Sequence, residues 1–171
     1  DVRWLPNEKG KEILENLLAE IKKEGKGKEY DGIIGLSGGV DSSYLLCKIR
    51  EWGLRPLAVH VDAGWNTELA VKNIEVLCRK LDVDLHTIVI DWESMRDAQV
   101  AFLRSGIANQ DIPQDHAFFA ALYRYAVKNG VQYVFHGSNF ATESILPTSW
   151  GQDAMDARFV KGIFKRFGNT S

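Results

Sequence analysis

"GIIGLSGGVDSSYLL" (Gly32–Leu46) is an apolar run that enters a Ser-Gly-Gly turn and leaves it as a helix, with an acid, Asp41, just past the turn. GIIGL has the length and β-branched content of a short buried strand. Past the turn, DSSYLLCKIREWG sets Leu45, Leu46 and Ile49 on one helical face and offers Gly53 as a stop. The alternation continues in both directions. Residues 7–24 carry Ile13, Leu14, Leu17, Leu18 and Ile21 at helical spacing, and GKGKEYDG (25–32) links that helix to the strand. Further strands are predicted at 55–61, 84–90 and 131–137. Helices are predicted at 67–81, with Thr67 as N-cap, at 92–106, at 113–129, with Pro113 in the first turn, and at 153–168. Short buried strands alternating with helices specify an α/β fold, a parallel sheet with helices on both faces. Its ligand edge is the one where all strands end. The strand exits LSGGVDSS, VDAGWN, IDWES and HGSNFATES should therefore meet there.

The turn admits three chemistries. Gly35–Gly39 formally matches G-x-S-x-G, which would make Ser37 a nucleophile. That elbow normally follows several earlier strands, whereas this one follows the first. A mononucleotide P-loop needs G-x-x-x-x-G-K-[ST], and no lysine lies between Lys28 and Lys48. The third chemistry is pyrophosphate binding. Gly38 and Gly39 permit close backbone approach, and the amides of residues 38–43, Val40 among them, can face a ligand from a helix N-terminus. Ser37, Ser42 and Ser43 add hydroxyl donors. Asp41 then has a role: a carboxylate beside phosphates repels them unless a divalent cation lies between, and magnesium suits one carboxylate plus phosphate oxygens. The alternative for Asp41 is an acid placed favourably at the helix dipole.

SGGVDSS resembles the S-G-G-x-D-S signature of the PP-loop ATP pyrophosphatase superfamily, and it follows a buried strand and opens a helix, as that signature does. The resemblance implies an adenine nucleotide alpha hydrolase-like (HUP, Rossmann-like) fold that cleaves ATP to AMP and pyrophosphate with Mg2+. HVDAGWN resembles the segment bordering the adenine, which assigns Val61 and Asp62 to the nucleotide; HGSNFATES resembles a later nucleotide-contacting segment, with Gly137, Asn139 and Glu143. It implies Ser37 and Asp41 in catalysis and Asp41 as the metal ligand. The implied organisation is an N-terminal helix and linker (1–29), the PP-loop domain (30–150) and a C-terminal helix (151–171). GLSGGVDSSYL, VHVDAGWN, QDHAFFAALYRYA and FHGSNFATES are similar, more narrowly, to the N-acetyl sugar amidotransferases of lipopolysaccharide O-antigen synthesis. That likeness implies a nucleotide-linked N-acetyl sugar as acceptor, adenylated on its acetamido oxygen. Ammonia from a separate glutaminase subunit would displace AMP. Members usually carry paired cysteines ahead of the region where this chain starts, and functional residues are expected beyond both ends. A tRNA or small-molecule sulfurtransferase and a non-catalytic nucleotide-binding subunit are the competing functions.

Bulk properties agree. Of 171 residues, 45% are hydrophobic and 26% charged, and the formal net charge is −2, so nothing calls for nucleic acid. No apolar run reaches membrane-spanning length, and Cys47 and Cys78 cannot build a disulfide framework. A cytoplasmic location without membrane insertion is expected, and both thiols read as core. Asp62 suits the nucleotide loop or a turn equally. Gln114, Asp115 and His116 sit where a helix begins and read as an exposed first turn close to the substrate. His60, His86 and His136 read as structural. Trp65 and Trp150 sit in loops where they could stack on a ligand. Arg158, Lys161 and Lys165 share a face of the last helix that reads as solvated.

Overall fold

The computed structural model describes residues 5–138 and 155–169. Four parallel strands form one sheet in the order β3-β2-β1-β4: β1 Gly32–Gly35, β2 Pro56–Asp62, β3 Leu85–Val89 and β4 Val134–Phe135. The helices are α1 Glu8–Glu24, α2 Val40–Glu51, α3 Glu68–Leu81, α4 Trp92–Ser105, α5 Ile112–Lys128 and α6 Ala157–Phe167. Asn7, Thr67 and Asp91 cap α1, α3 and α4 by accepting from Gly10, Ala70 and Ser94 N–H groups. Gly53 stops α2 at φ +72° and Gly106 stops α4 at φ +68°, a conformation suited to glycine. The predicted α/β architecture and its parallel sheet are what the chain adopts.

Consecutive residues of β1 face opposite sides. Ile34 enters a core with Leu46 and Ile49 of α2, Ile74 and Cys78 of α3, and Ile21 of α1. Ile33 enters a second core with Leu57, Val59, Leu122 and Ala126, where α5 covers the sheet. The first helix is therefore seated in the main core through Ile21. At the base of the sheet, buried Asp31 accepts from the Arg55 backbone N–H at 2.7 Å and from its guanidinium at 2.6 Å, tying the starts of β1 and β2 together.

Two strands depart from expectation. β3 is exposed at Leu85, His86, Thr87 and Val89, because it is the sheet edge and α5 lies over β1 and β2 instead. The predicted strand 131–137 shortens to Val134–Phe135, which pairs with β1 alone. The last helix begins at Ala157 because Asp156 caps it, accepting from the Arg158 N–H at 2.9 Å. α6 packs on α4, with Phe159 set edge-on to Phe102 at 6.3 Å. Ile34→Ala should cost about 2–5 kcal/mol in urea unfolding, the range for emptying a filled core site. Thr87→Ala on β3 should change stability by under about 1 kcal/mol; similar costs for the two would contradict this sheet order.

Candidate functional site

β1 is flanked on both sides by strands, so its exit lies at the middle of the ligand edge. There the chain turns through Ser37, Gly38 and Gly39 into α2. Gly38 has φ +81°, and a Cβ on it would lie 2.8 Å from the Ala70 carbonyl oxygen, so the loop rests on the start of α3. Gly39 caps α2 without a side-chain hydrogen bond. The first-turn N–H groups of Val40, Asp41 and Ser42 are thus left without intrahelical carbonyls. The serines preorganise the turn. Ser37 Oγ is 3.2 Å from Ser42 Oγ and accepts from the Gly39 N–H at 3.3 Å; Ser43 Oγ donates to the Gly39 carbonyl at 2.7 Å. Ser37 Oγ has no histidine or carboxylate partner among the described residues, so those residues offer the nucleophile chemistry no base. The Asp41 side chain is exposed and accepts no hydrogen bond among the described residues, so it does not cap α2.

The loop floors a cavity of about 450 Å³, within the range of small-molecule sites. Ser37, Gly39, Asp41 and Ser42 form one wall, and Phe118, Phe119 and Leu122 of α5 face them, with Phe135 at the strand edge. Val61, His60, Gln114, His136, Gly137 and Ser138 also line it. A Cβ on Gly137 would sit 2.6 Å from the Ser42 nitrogen and 2.7 Å from its Cα, both backbone atoms that cannot swing aside. Glycine is what lets the β4 exit rest on the first turn of α2. Among the described lining residues there is no lysine or arginine, and Asp41 is the carboxylate.

The remaining candidates scatter around this cavity. Asp62 Oδ1 accepts from the Gly64 N–H at 2.8 Å and from Asn66 Nδ2 at 2.9 Å, so it shapes the β2 exit turn, while Asn66 reaches the cavity. Trp65 is half exposed and packs edge-on against Trp92 at 5.3 Å, away from the lining. Gln114 lines the cavity. Asp115 and His116 do not, and both are half-buried rather than exposed. Burial, with the Asp111 charge nearby, pushes the Asp115 carboxyl up. His86 is exposed on β3 and stacks on Tyr125 at 4.5 Å. His136 bonds Tyr123 Oη through Nε2 at 3.1 Å, and burial pulls its pKa below the ordinary histidine value. Cys78 is core, its thiol pushed up by burial, and Cys47 is half-buried. Arg158, Lys161 and Lys165 are exposed on α6. Asn139, Glu143 and Trp150 lie outside the described residues. Among the described residues no group of three or more His, Cys, Asp or Glu could hold a metal, and no helix is long and apolar enough to cross a membrane.

A cavity of about 460 Å³ opens at the other end of the strands, where two of the lining tyrosines are tied to lining carboxylates. Tyr30 donates to Asp84 at 2.9 Å and Tyr133 to Glu24 at 2.8 Å. Burial and Asp84 push the Tyr30 phenol up, and the Glu24 hydrogen bond pushes Tyr133 up to about 12, so both phenols stay protonated donors.

No family model matches the chain. It is 30% identical over 118 residues to tRNA(Ile)-lysidine synthase of Chlamydia pneumoniae, covering 67% of this chain and 34% of that protein. It is 30% identical over 117 residues to the Porphyromonas gingivalis enzyme of the same name, covering 67% of this chain and 25% of that one. The chain thus spans between about a quarter and about a third of the length of these curated relatives. The fold superposes on NMN synthetase from Francisella tularensis with a TM-score of 0.54 and 24% identity, over 81% of this chain and 56% of that one. For NH3-dependent NAD synthetase from Campylobacter jejuni the TM-score is 0.52 with 20% identity, over 77% and 57%. For glutamine-dependent NAD+ synthetase from Acinetobacter baumannii, in complex with ADP, it is 0.58 with 20% identity, over 75% and 26%. The tRNA(Ile)-lysidine synthase relatives indicate the PP-loop ATP pyrophosphatase superfamily, and the solved structures show the fold. The fold is adenine nucleotide alpha hydrolase-like.

Gly137→Ala should lower unfolding stability by about 1–3 kcal/mol, the usual cost of overpacking, and an unchanged urea midpoint would contradict the close approach. In an NMR titration the His136 ring should show a midpoint below about 6.5, because burial disfavours the imidazolium. The unfolded chain then binds that proton more readily, so this group destabilises the fold as pH drops below about 6.5. A midpoint above that value would contradict the burial.

Proposed function

We propose that the chain carries the ATP-cleaving unit of an amidotransferase. In this reading the loop at Ser37–Ser43 binds the polyphosphate of ATP. The acetamido oxygen of a nucleotide-linked sugar attacks the α-phosphorus, pyrophosphate leaves, and ammonia then displaces AMP to give an acetamidino sugar. The reading belongs to lipopolysaccharide O-antigen synthesis. One observation carries the nucleotide part: the α2 helix-start amides, which have no intrahelical carbonyls, open beside a cavity lined by Ser37, Gly39, Asp41 and Ser42 whose described lining holds no cationic side chain. Such a lining can stabilise charge that moves onto a leaving pyrophosphate, through fixed donors that need no reorganisation.

Asp41 fits a magnesium ion that arrives with the nucleotide, since magnesium is usually held by one or two carboxylates together with phosphate oxygens. Bound there, the ion would neutralise phosphate charge that the lining leaves uncompensated. Ser37, Gly38, Gly39, Val40, Ser42 and Ser43 would hold the phosphates, and Val61 with the Asp62 turn would border the nucleoside. Gly137 would fix the β4 exit against the loop, with Asn139 and Glu143 following it. Phe118 and Phe119 offer the apolar wall suited to a planar ring. In this reading ammonia comes from a separate glutaminase subunit. Burial of Cys78 gives a persulfide route little support.

The identity to tRNA(Ile)-lysidine synthases favours a second reading, in which the adenylated acceptor is a tRNA base. One experiment separates the two. The full-length protein is incubated with ATP, magnesium, ammonium and UDP-linked N-acetyl sugars, and separately with tRNA and lysine. Mass spectrometry should show the sugar amide oxygen exchanged for nitrogen; modified tRNA with untouched sugar would overturn the sugar reading. Asp41→Asn should lower kcat/KM by about 100-fold or more without changing the melting temperature. Wild-type turnover in that variant would remove Asp41 from the site.

A further inference from the structure

His60 is the residue at this site whose chemistry is half used. Along β2, Leu57 and Val59 face α5 while Ala58 faces α2 and α3, so His60 shares the side of Ala58, beneath the loop. It is 5% exposed. Its Nδ1 lies 2.9 Å from the carbonyl oxygen of Leu36, the residue that enters the loop. A carbonyl has no proton to give, so Nδ1 carries the hydrogen, and in the neutral ring Nε2 is a bare acceptor. That Nε2 is sealed from water and has no partner among the described residues, while His60 as a residue lines the loop cavity, so a donor reaches it only when the loop gives way on loading. Buried acceptors are rarely left unfilled in a working state.

The geometry points to His60 as a positioning residue of the phosphate loop, with Nε2 taking an O–H donor when the cavity is loaded; this rests on the nucleotide reading above. The first half follows from peptide geometry. Leu36 C=O and Ser37 N–H belong to one trans peptide plane and point in opposite directions. Holding the carbonyl on the imidazole therefore turns the first loop amide away from it, toward Ser42 Oγ at 3.4 Å. The second half follows from the ligand. A fully ionised polyphosphate offers acceptors alone, so the donor is an O–H group that enters with it, from a ribose or from a water.

Imidazole ¹⁵N NMR on the intact wild-type chain reads both halves. The free protein should show His60 as the Nδ1-protonated tautomer. ATP with magnesium should move its Nε2 resonance in the direction of an accepted hydrogen bond. Tripolyphosphate with magnesium separates the donors: a shift with both ligands assigns a water, and a shift with ATP alone assigns the ribose. An Nε2-protonated ring overturns the inference, as does an unmoved Nε2 resonance while the Gly38 and Gly39 amides shift. If those amides are also still, the nucleotide reading falls and takes this inference with it. His60→Asn keeps a donor near the Nδ1 position and has nothing at Nε2, so it should weaken ATP binding about tenfold. His60→Phe, lacking both, should weaken it further. Equal affinity of His60→Asn and wild type removes the role of Nε2.

Discussion

The N–H groups that open α2 have no carbonyls behind them to bond, and the site is built around where they are left. An α-helix always pays for its first turn in this way, and most helices cover the deficit with a side-chain cap. Here the cap position is Gly39, which brings no side chain, although α1, α3 and α4 are all capped by side chains. The donors stay available at the exit of a central strand.

Their placement rests on two close backbone approaches. Gly38 sits against Ala70 of α3, and Gly137 sits against Ser42 of α2. Neither position has room for a methyl group, so the loop is held between two elements as well as by its own serine hydrogen bonds. The electrostatics follow from the same arrangement. Fixed amide dipoles and hydroxyls face a cavity in which Asp41 supplies negative charge and no described lining residue supplies positive charge. Amides alone favour an anion, while the carboxylate favours a cation beside it. The two demands agree if a metal-bound polyphosphate is the ligand.

Much of this was legible in the sequence because it depends on local rules. The Ser-Gly-Gly turn, the Thr67 cap and the strand–helix alternation each announce themselves within a few residues. The exposure of β3 was not legible, since a strand carries no local mark of lying at the edge, and the lie of α5 over β1 and β2 is a tertiary matter. Asp62 shows the same limit from another side. An acid at a strand exit reads equally as a ligand or a turn former, and its bonds to Gly64 and Asn66 appear only in three dimensions. In sequence His60 reads as structural. It is buried, but one of its nitrogens is unfilled, and no spacing rule reports the satisfaction of a single atom. Phe118 and Phe119 lie within QDHAFFAALYRYA, but only the packing of α5 shows that both rings reach the cavity.

The scission point on ATP tests the account most directly. Phosphorus-31 NMR of the full-length protein turning over ATP with magnesium, ammonium and an acceptor distinguishes the bonds cleaved. A loop that grips the outer phosphates as a leaving group predicts AMP and pyrophosphate in equal amounts. ADP and inorganic phosphate would contradict it, because they would mean that the group held at Ser37–Ser43 is not the one that departs.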